Sequence, residues 1–190
     1  MRLAWFVPET SASSDAPLLI SAVRSHHHVD IVDAPRAHEF IWQHARKPYD
    51  LCIYELDNTP AHQFIWPYLI HYPGVTRLHR TTLQASRADA LQRAQRLDDF
   101  AGEFAFAHPG VTPPMLRASG QIAQGRWPML AIPLLASRVT VVPHAVVAET
   151  LTADYPDAKI RAITPGVQPV AGSADEIVLT LDWPVDGAPL

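Results

Sequence analysis

Six short apolar runs, each separated from the next by a helix-like stretch, constrain this chain more than any other feature. The runs cover residues 3–7, 29–32, 50–56, 75–79, 138–142 and 159–163. Between them, apolar residues recur every three or four positions, as on one face of a helix. Leu18, Leu19, Ala22 and Val23 mark a first helix opening near Pro17, with Ser14 or Asp15 as its cap. A second covers residues 36–46. A third opens at Pro60, continues through Phe64, Ile65, Tyr68 and Leu69, and stops at Tyr72-Pro73-Gly74. The longest pattern, 83–107, ends at His108-Pro109-Gly110. Two short helices are predicted to open at Thr112-Pro113 and at Trp127-Pro128, and a last one covers 145–154. Strands alternating with helices predict an α/β fold, a Rossmann-like parallel sheet with helices on both faces. Such sheets bind ligands outside the carboxyl ends of their strands.

Composition narrows the class. With 48% apolar and 18% charged residues in 190, the chain can bury a core. The apolar stretch at 127–136 is interrupted by Pro128 and Pro133 and is too short to span a bilayer. No signal peptide is readable, and a single cysteine, Cys52, gives no internal disulfide, so a cytoplasmic protein is expected. A formal net charge of -4 supplies no field that attracts nucleic acid.

Motifs exclude several chemistries. Residues 8–15, the first strand-to-helix loop, contain no glycine, so the dinucleotide fingerprint is absent. Walker A, G-x-S-x-G and H-E-x-x-H are absent too. His26, His27 and His28 stand on a turn, where three adjacent side chains do not easily converge on one ion. His38 and His44 lie six apart on one helix, not at ligand spacing. No metal site is expected. His79 differs, because it ends the fourth strand, where an imidazole can orient or deprotonate a hydroxyl. Asp57 and Asn58 end the third strand and His144 the fifth, on the same rim. For Asp57 and Asn58, helix capping is the competing role. Cys52, inside an apolar strand, reads as a core residue.

Residues 53–79, IYELDNTPAHQFIWPYLIHYPGVTRLH, resemble the N-terminal, acceptor-side domain of bacterial family 4 glycosyltransferases of the GT-B fold. In that family a strand ends in a Gly/Asp-Asn-Ser-like turn and leads to a helix with Trp-Pro-Tyr. A Tyr-Pro-Gly stop and a strand ending in Leu-His-Asp follow. Later pieces agree in order: FAFAHP at 104–109, Trp127-Pro128-Met129, SRVTVVPH at 137–144, residues 147–156 and TPGV at 164–167. The likeness covers about residues 1–170.

The resemblance implies transfer of a sugar from a nucleotide sugar to a hydroxyl of a glycan or lipid-linked acceptor, without metal or other cofactor. It places His79 near the reacting sugar as the catalytic residue. Asp57, Asn58, Ser13, Ser14, Arg80 and His144 fall on the acceptor side. Three departures stand out. The first loop lacks the family's glycines, Arg80 replaces its aspartate, and no room is left for the second domain that grips the donor. The expected organisation is therefore a glycosyltransferase-type domain over 1–167, inactive alone, with a linker and tail over 168–190. A naturally short, non-catalytic domain that binds a glycan or a protein is the alternative. In the tail, Ile177, Leu179, Leu181 and Trp183 alternate with Glu176, Val178, Thr180 and Asp182, which predicts a strand docking on the sheet edge or on a second copy.

Overall fold

The computed structural model describes residues 1–8, 15–111 and 127–164. Six parallel strands form one sheet: β1 (Arg2–Phe6), β2 (His28–Val32), β3 (Leu51–Leu56), β4 (Val75–Leu78), β5 (Val139–Val142) and β6 (Ile160–Ala162). Their order in space is β2-β1-β3-β4-β5-β6. Helices α1 (Ala16–Arg24), α2 (Ala37–Arg46), α3 (Ile65–His71), α4 (Gln84–Arg93), α5 (Leu97–Ala107), α6 (Ala131–Ala136) and α7 (Ala145–Asp154) connect them. The Rossmann-like α/β architecture read from the sequence is the architecture found.

Topology decides which face each helix covers. The chain steps one way from β1 to β2 and then the other way from β2 to β3, and right-handed crossovers place α1 and α2 on opposite faces. All later steps run in the second direction. Two separate cores result. Leu3, Trp5, Val29 and Ile53 pack with Ala16 and Ile20 of α1. Ala4, Phe6, Val32, Tyr54 and Leu56 pack with side chains such as Phe40, Leu69, Leu91, Phe104 and Leu151 from the other helices. Successive strand residues point to opposite faces, so β1 and β3 feed both cores at once. Burying each large apolar side chain contributes about 1.5–3 kcal/mol.

Local chemistry differs from the sequence pattern at several points. The pattern over 83–107 is two helices, broken where Gln95 takes a positive φ of 57°. Pro60 opens a single 3-10 turn, Pro60–His62, and α3 begins five residues later at Ile65. The helix expected at Trp127-Pro128 begins at Ala131, after Met129 has adopted a φ of 52°. The two glycine stops work by different means. Gly110 has a φ of 80°, which favours glycine. Gly74 instead lies against β3, where an added Cβ would sit 2.1 Å from the Cys52 carbonyl oxygen. Cys52 is buried in the core, as expected. The helix expected at Thr112-Pro113 and the tail strand lie outside the described residues.

Candidate functional site at the carboxyl ends of β3 and β4

β1 and β3 are neighbours whose following helices cover opposite faces, which makes their carboxyl ends the switch point where such sheets bind ligands. Register sets what faces it on the α1 side. Trp5 of β1 pairs with Ile53 of β3, and Glu55 of β3 pairs with Arg77 of β4. Alternation puts Ile53 and Glu55 on one face and Cys52, Tyr54 and Leu56 on the other. By the same period, Arg77 and His79 follow Val75.

Glu55 is the centre of the cluster and is 0% exposed. Its Oε1 accepts hydrogen bonds from Trp5 Nε1 at 2.7 Å and Arg77 Nη1 at 2.8 Å. Its Oε2 lies 2.5 Å from His79 Nε2. Burial pushes the Glu55 carboxyl up. The bond from His79, the Arg77 charge and the bond from Trp5 outweigh it and hold the group below its ordinary value. An ionised carboxylate only accepts, so His79 Nε2 carries the hydrogen of this contact, and in a neutral ring Nδ1 is then the acceptor. The His79 side chain is 27% exposed.

Arg77 extends the cluster. Its Nη2 donates to Asp15 Oδ1 at 2.6 Å, so one guanidinium spans two carboxylates. Burial alone would lower its affinity for a proton, while Glu55 and Asp15 raise it above the ordinary range. Asp15 stands at the N-terminus of α1 but makes no side-chain cap hydrogen bond there. The capping role expected of it is replaced by this ion pair.

The rim around His79 is built from the turn after β3. Asn58 N donates to Asp57 Oδ1 at 2.6 Å, and Asn58 Oδ1 accepts from Ser86 N of α4 at 2.9 Å. Arg80 Nε lies 3.1 Å from Asp57 Oδ1, with the Arg80 side chain half-exposed. Neither Asp57 nor Asn58 makes a side-chain cap bond to the 3-10 turn, whose capping position is Thr59, but Asn58 does cap α4, since Ser86 N is a first-turn donor of that helix. His62, in that turn, is buried, and its Nδ1 is 2.7 Å from Thr59 Oγ1. Burial depresses its proton affinity, so a neutral ring is favoured there.

The candidates read from the sequence separate accordingly. His79, Asp57, Asn58 and Arg80 come together, and His144 sits on the same rim, one strand over, as the residue before α7. Ser13 and Ser14 lie outside the described residues. Glu55, Arg77, Asp15 and His62 are additions that the sequence reading missed. Two other histidines serve the scaffold. His44 stacks on Phe40 and accepts from Tyr49 N, and His28 pairs with Asp30 at 3.1 Å. Among the described residues, no group of three or more His, Cys, Asp or Glu is placed to hold a metal ion. No described helix is long and apolar enough to cross a membrane.

Fold and site together define an α/β protein of Rossmann-like architecture with a buried carboxylate backing an imidazole at its strand ends. Comparison with protein-family models, with curated proteins and with solved structures found no match.

Proposed function

We propose that this chain is the acceptor-side domain of a GT-B-type glycosyltransferase and that His79 is its base. The observation that carries the reading is the Glu55–His79 contact at the carboxyl ends of β3 and β4. A carboxylate that holds Nε2–H leaves Nδ1 of the neutral ring as its acceptor, which general-base chemistry on a hydroxyl requires. In this scheme His79 Nδ1 takes the proton of an acceptor hydroxyl. The oxygen forms a bond to the anomeric carbon as the bond to the nucleoside diphosphate breaks, and the leaving diphosphate departs with the electron pair.

The remaining rim fits an oxygen-rich acceptor. Asp57 and Asn58 offer carboxylate and amide groups already tied to backbone, so little conformational freedom is lost on binding. Arg80 uses Nε on Asp57, and its Nη edge suits an acceptor oxygen or an anionic linkage. By the resemblance, the donor and its phosphates belong to a second domain, and residues 8–15 lack the glycines that let backbone approach phosphate. Closing the two halves would orient the reactants and exclude water. Labelled chain applied to an array of bacterial oligosaccharides tests this. Retention of a saccharide by the native chain, lost in His79→Ala and Asn58→Ala, is expected. Retention of none, or binding indifferent to both changes, would overturn it.

A further inference from the structure

We infer that Arg77 is a positioning residue for His79, gripped between Asp15 and Glu55 so that Glu55 stays the acceptor that fixes the imidazole. This rests on the reading of His79 as a base. Three features distinguish the arrangement from a simple ion pair. The carboxylate is fully buried, while the Arg77 side chain is only 17% exposed. The guanidinium uses separate nitrogens for two carboxylates, Nη1 for Glu55 and Nη2 for Asp15, which come from different elements. Glu55 in turn divides its two oxygens, Oε1 to Arg77 and Trp5, and Oε2 to His79.

That division has a chemical consequence. A buried carboxylate deprived of its cation takes up a proton readily. Protonated Glu55 would donate to His79 Nε2 rather than accept from it, and the ring would then carry its hydrogen on Nδ1. Nδ1 would change from acceptor to donor, and base chemistry would stop. Asp15 holds the other end of the guanidinium, which fixes its plane against Glu55. Lysine at position 77 would supply a point charge without the fork, so it can serve one carboxylate well but not both.

Long-range proton–nitrogen NMR of the full chain reads the tautomer directly, with His79→Ala assigning the signals. The spectra are recorded over a pH series, and the tautomer is read wherever the ring carries a single hydrogen. The native chain should show His79 with hydrogen on Nε2. Arg77→Gln should raise the Nδ1–H population roughly tenfold or more, the scale of losing a charge-assisted hydrogen bond. Arg77→Lys should restore most of the native signal. An Arg77→Gln protein that melts cooperatively with the native tautomer overturns the inference. Should that variant not fold, Asp15→Asn decides, since its side chain is partly exposed and its loss frees the outer end of the guanidinium that holds Glu55. A measurable Nδ1–H fraction supports the inference, and an unchanged spectrum overturns it. No glycan enters this measurement, so a silent saccharide array and an unchanged tautomer are separate failures.

Discussion

Glu55 and Arg77 face each other in register across β3 and β4, and Arg77 Nη1 lies 2.8 Å from a carboxylate with no solvent exposure. Breaking a buried pair leaves an uncompensated charge, which costs about 3–5 kcal/mol. Glu55→Gln should therefore lower stability by about that amount at neutral pH, as measured by urea denaturation. A change under about 1 kcal/mol would show that the carboxylate is not a structural ion partner.

His79→Ala should separate chemistry from folding. Glu55 keeps Trp5 and Arg77 in that variant, so the loss of stability should be about 1–2 kcal/mol, less than for Glu55→Gln. In a protein that also carries a donor-binding domain, turnover should fall by roughly two orders of magnitude. Equal damage to stability from both variants would make His79 a scaffold residue.

Gly74→Ala tests a packing requirement that has nothing to do with a helix cap. The new Cβ would meet backbone, the Cys52 carbonyl at 2.1 Å, and backbone in a central strand cannot move aside easily. A loss of about 3 kcal/mol is expected, at the upper end for overpacking. Gly102→Ala is the control, since an added Cβ there meets nothing within 4 Å. It should be neutral or slightly stabilising in the middle of α5.

Two pH effects of the same sign should appear in separate windows. The His62 ring has a depressed folded value, so the unfolded chain binds its proton first as pH falls through the ordinary imidazole range near 6.5. Stability then declines from about pH 7 downward, and His62→Gln should remove part of that slope. Glu55 and Asp33 are also held below their ordinary values. Their contribution is complete above the ordinary carboxylate range and is lost as pH falls through the lowered folded values. A Glu55→Gln protein should show a shallower decline of melting temperature between about pH 5 and 3. Identical slopes in the variant and native chains would remove these groups as the cause.

Strand positions were legible because short apolar runs closed by proline and glycine leave few alternatives, and the parallel order followed from the helices between them. His79 was legible from its place at a strand end. Glu55 is less legible, although a carboxylate well inside the run DLCIYEL at 50–56, beyond Asp50 at its start, carries its own signal. Position 55 shares a face with Ile53, so the charge had to be buried, and a buried charge needs a partner. The next strand, VTRLH at 75–79, contains one arginine at the matching depth. Asp15 could not be placed from sequence, since its partner lies 62 residues away and local chemistry argued for a cap. The breaks at Gln95 and Met129 were hidden for a simpler reason. Neither residue is a glycine, so nothing in the local sequence marks their positive φ.

The acceptor assignment is tested most directly by amide NMR titration of the native 190-residue chain with saccharides retained on the array and, separately, with UDP- and GDP-sugars. The account predicts that a saccharide shifts the signals of residues 57–58, 79–80 and 144 together, and that nucleotide sugars bind weakly or not at all. A nucleotide sugar binding with a low-micromolar dissociation constant, about -8 kcal/mol, would contradict it. So would saccharide shifts confined to surfaces away from His79.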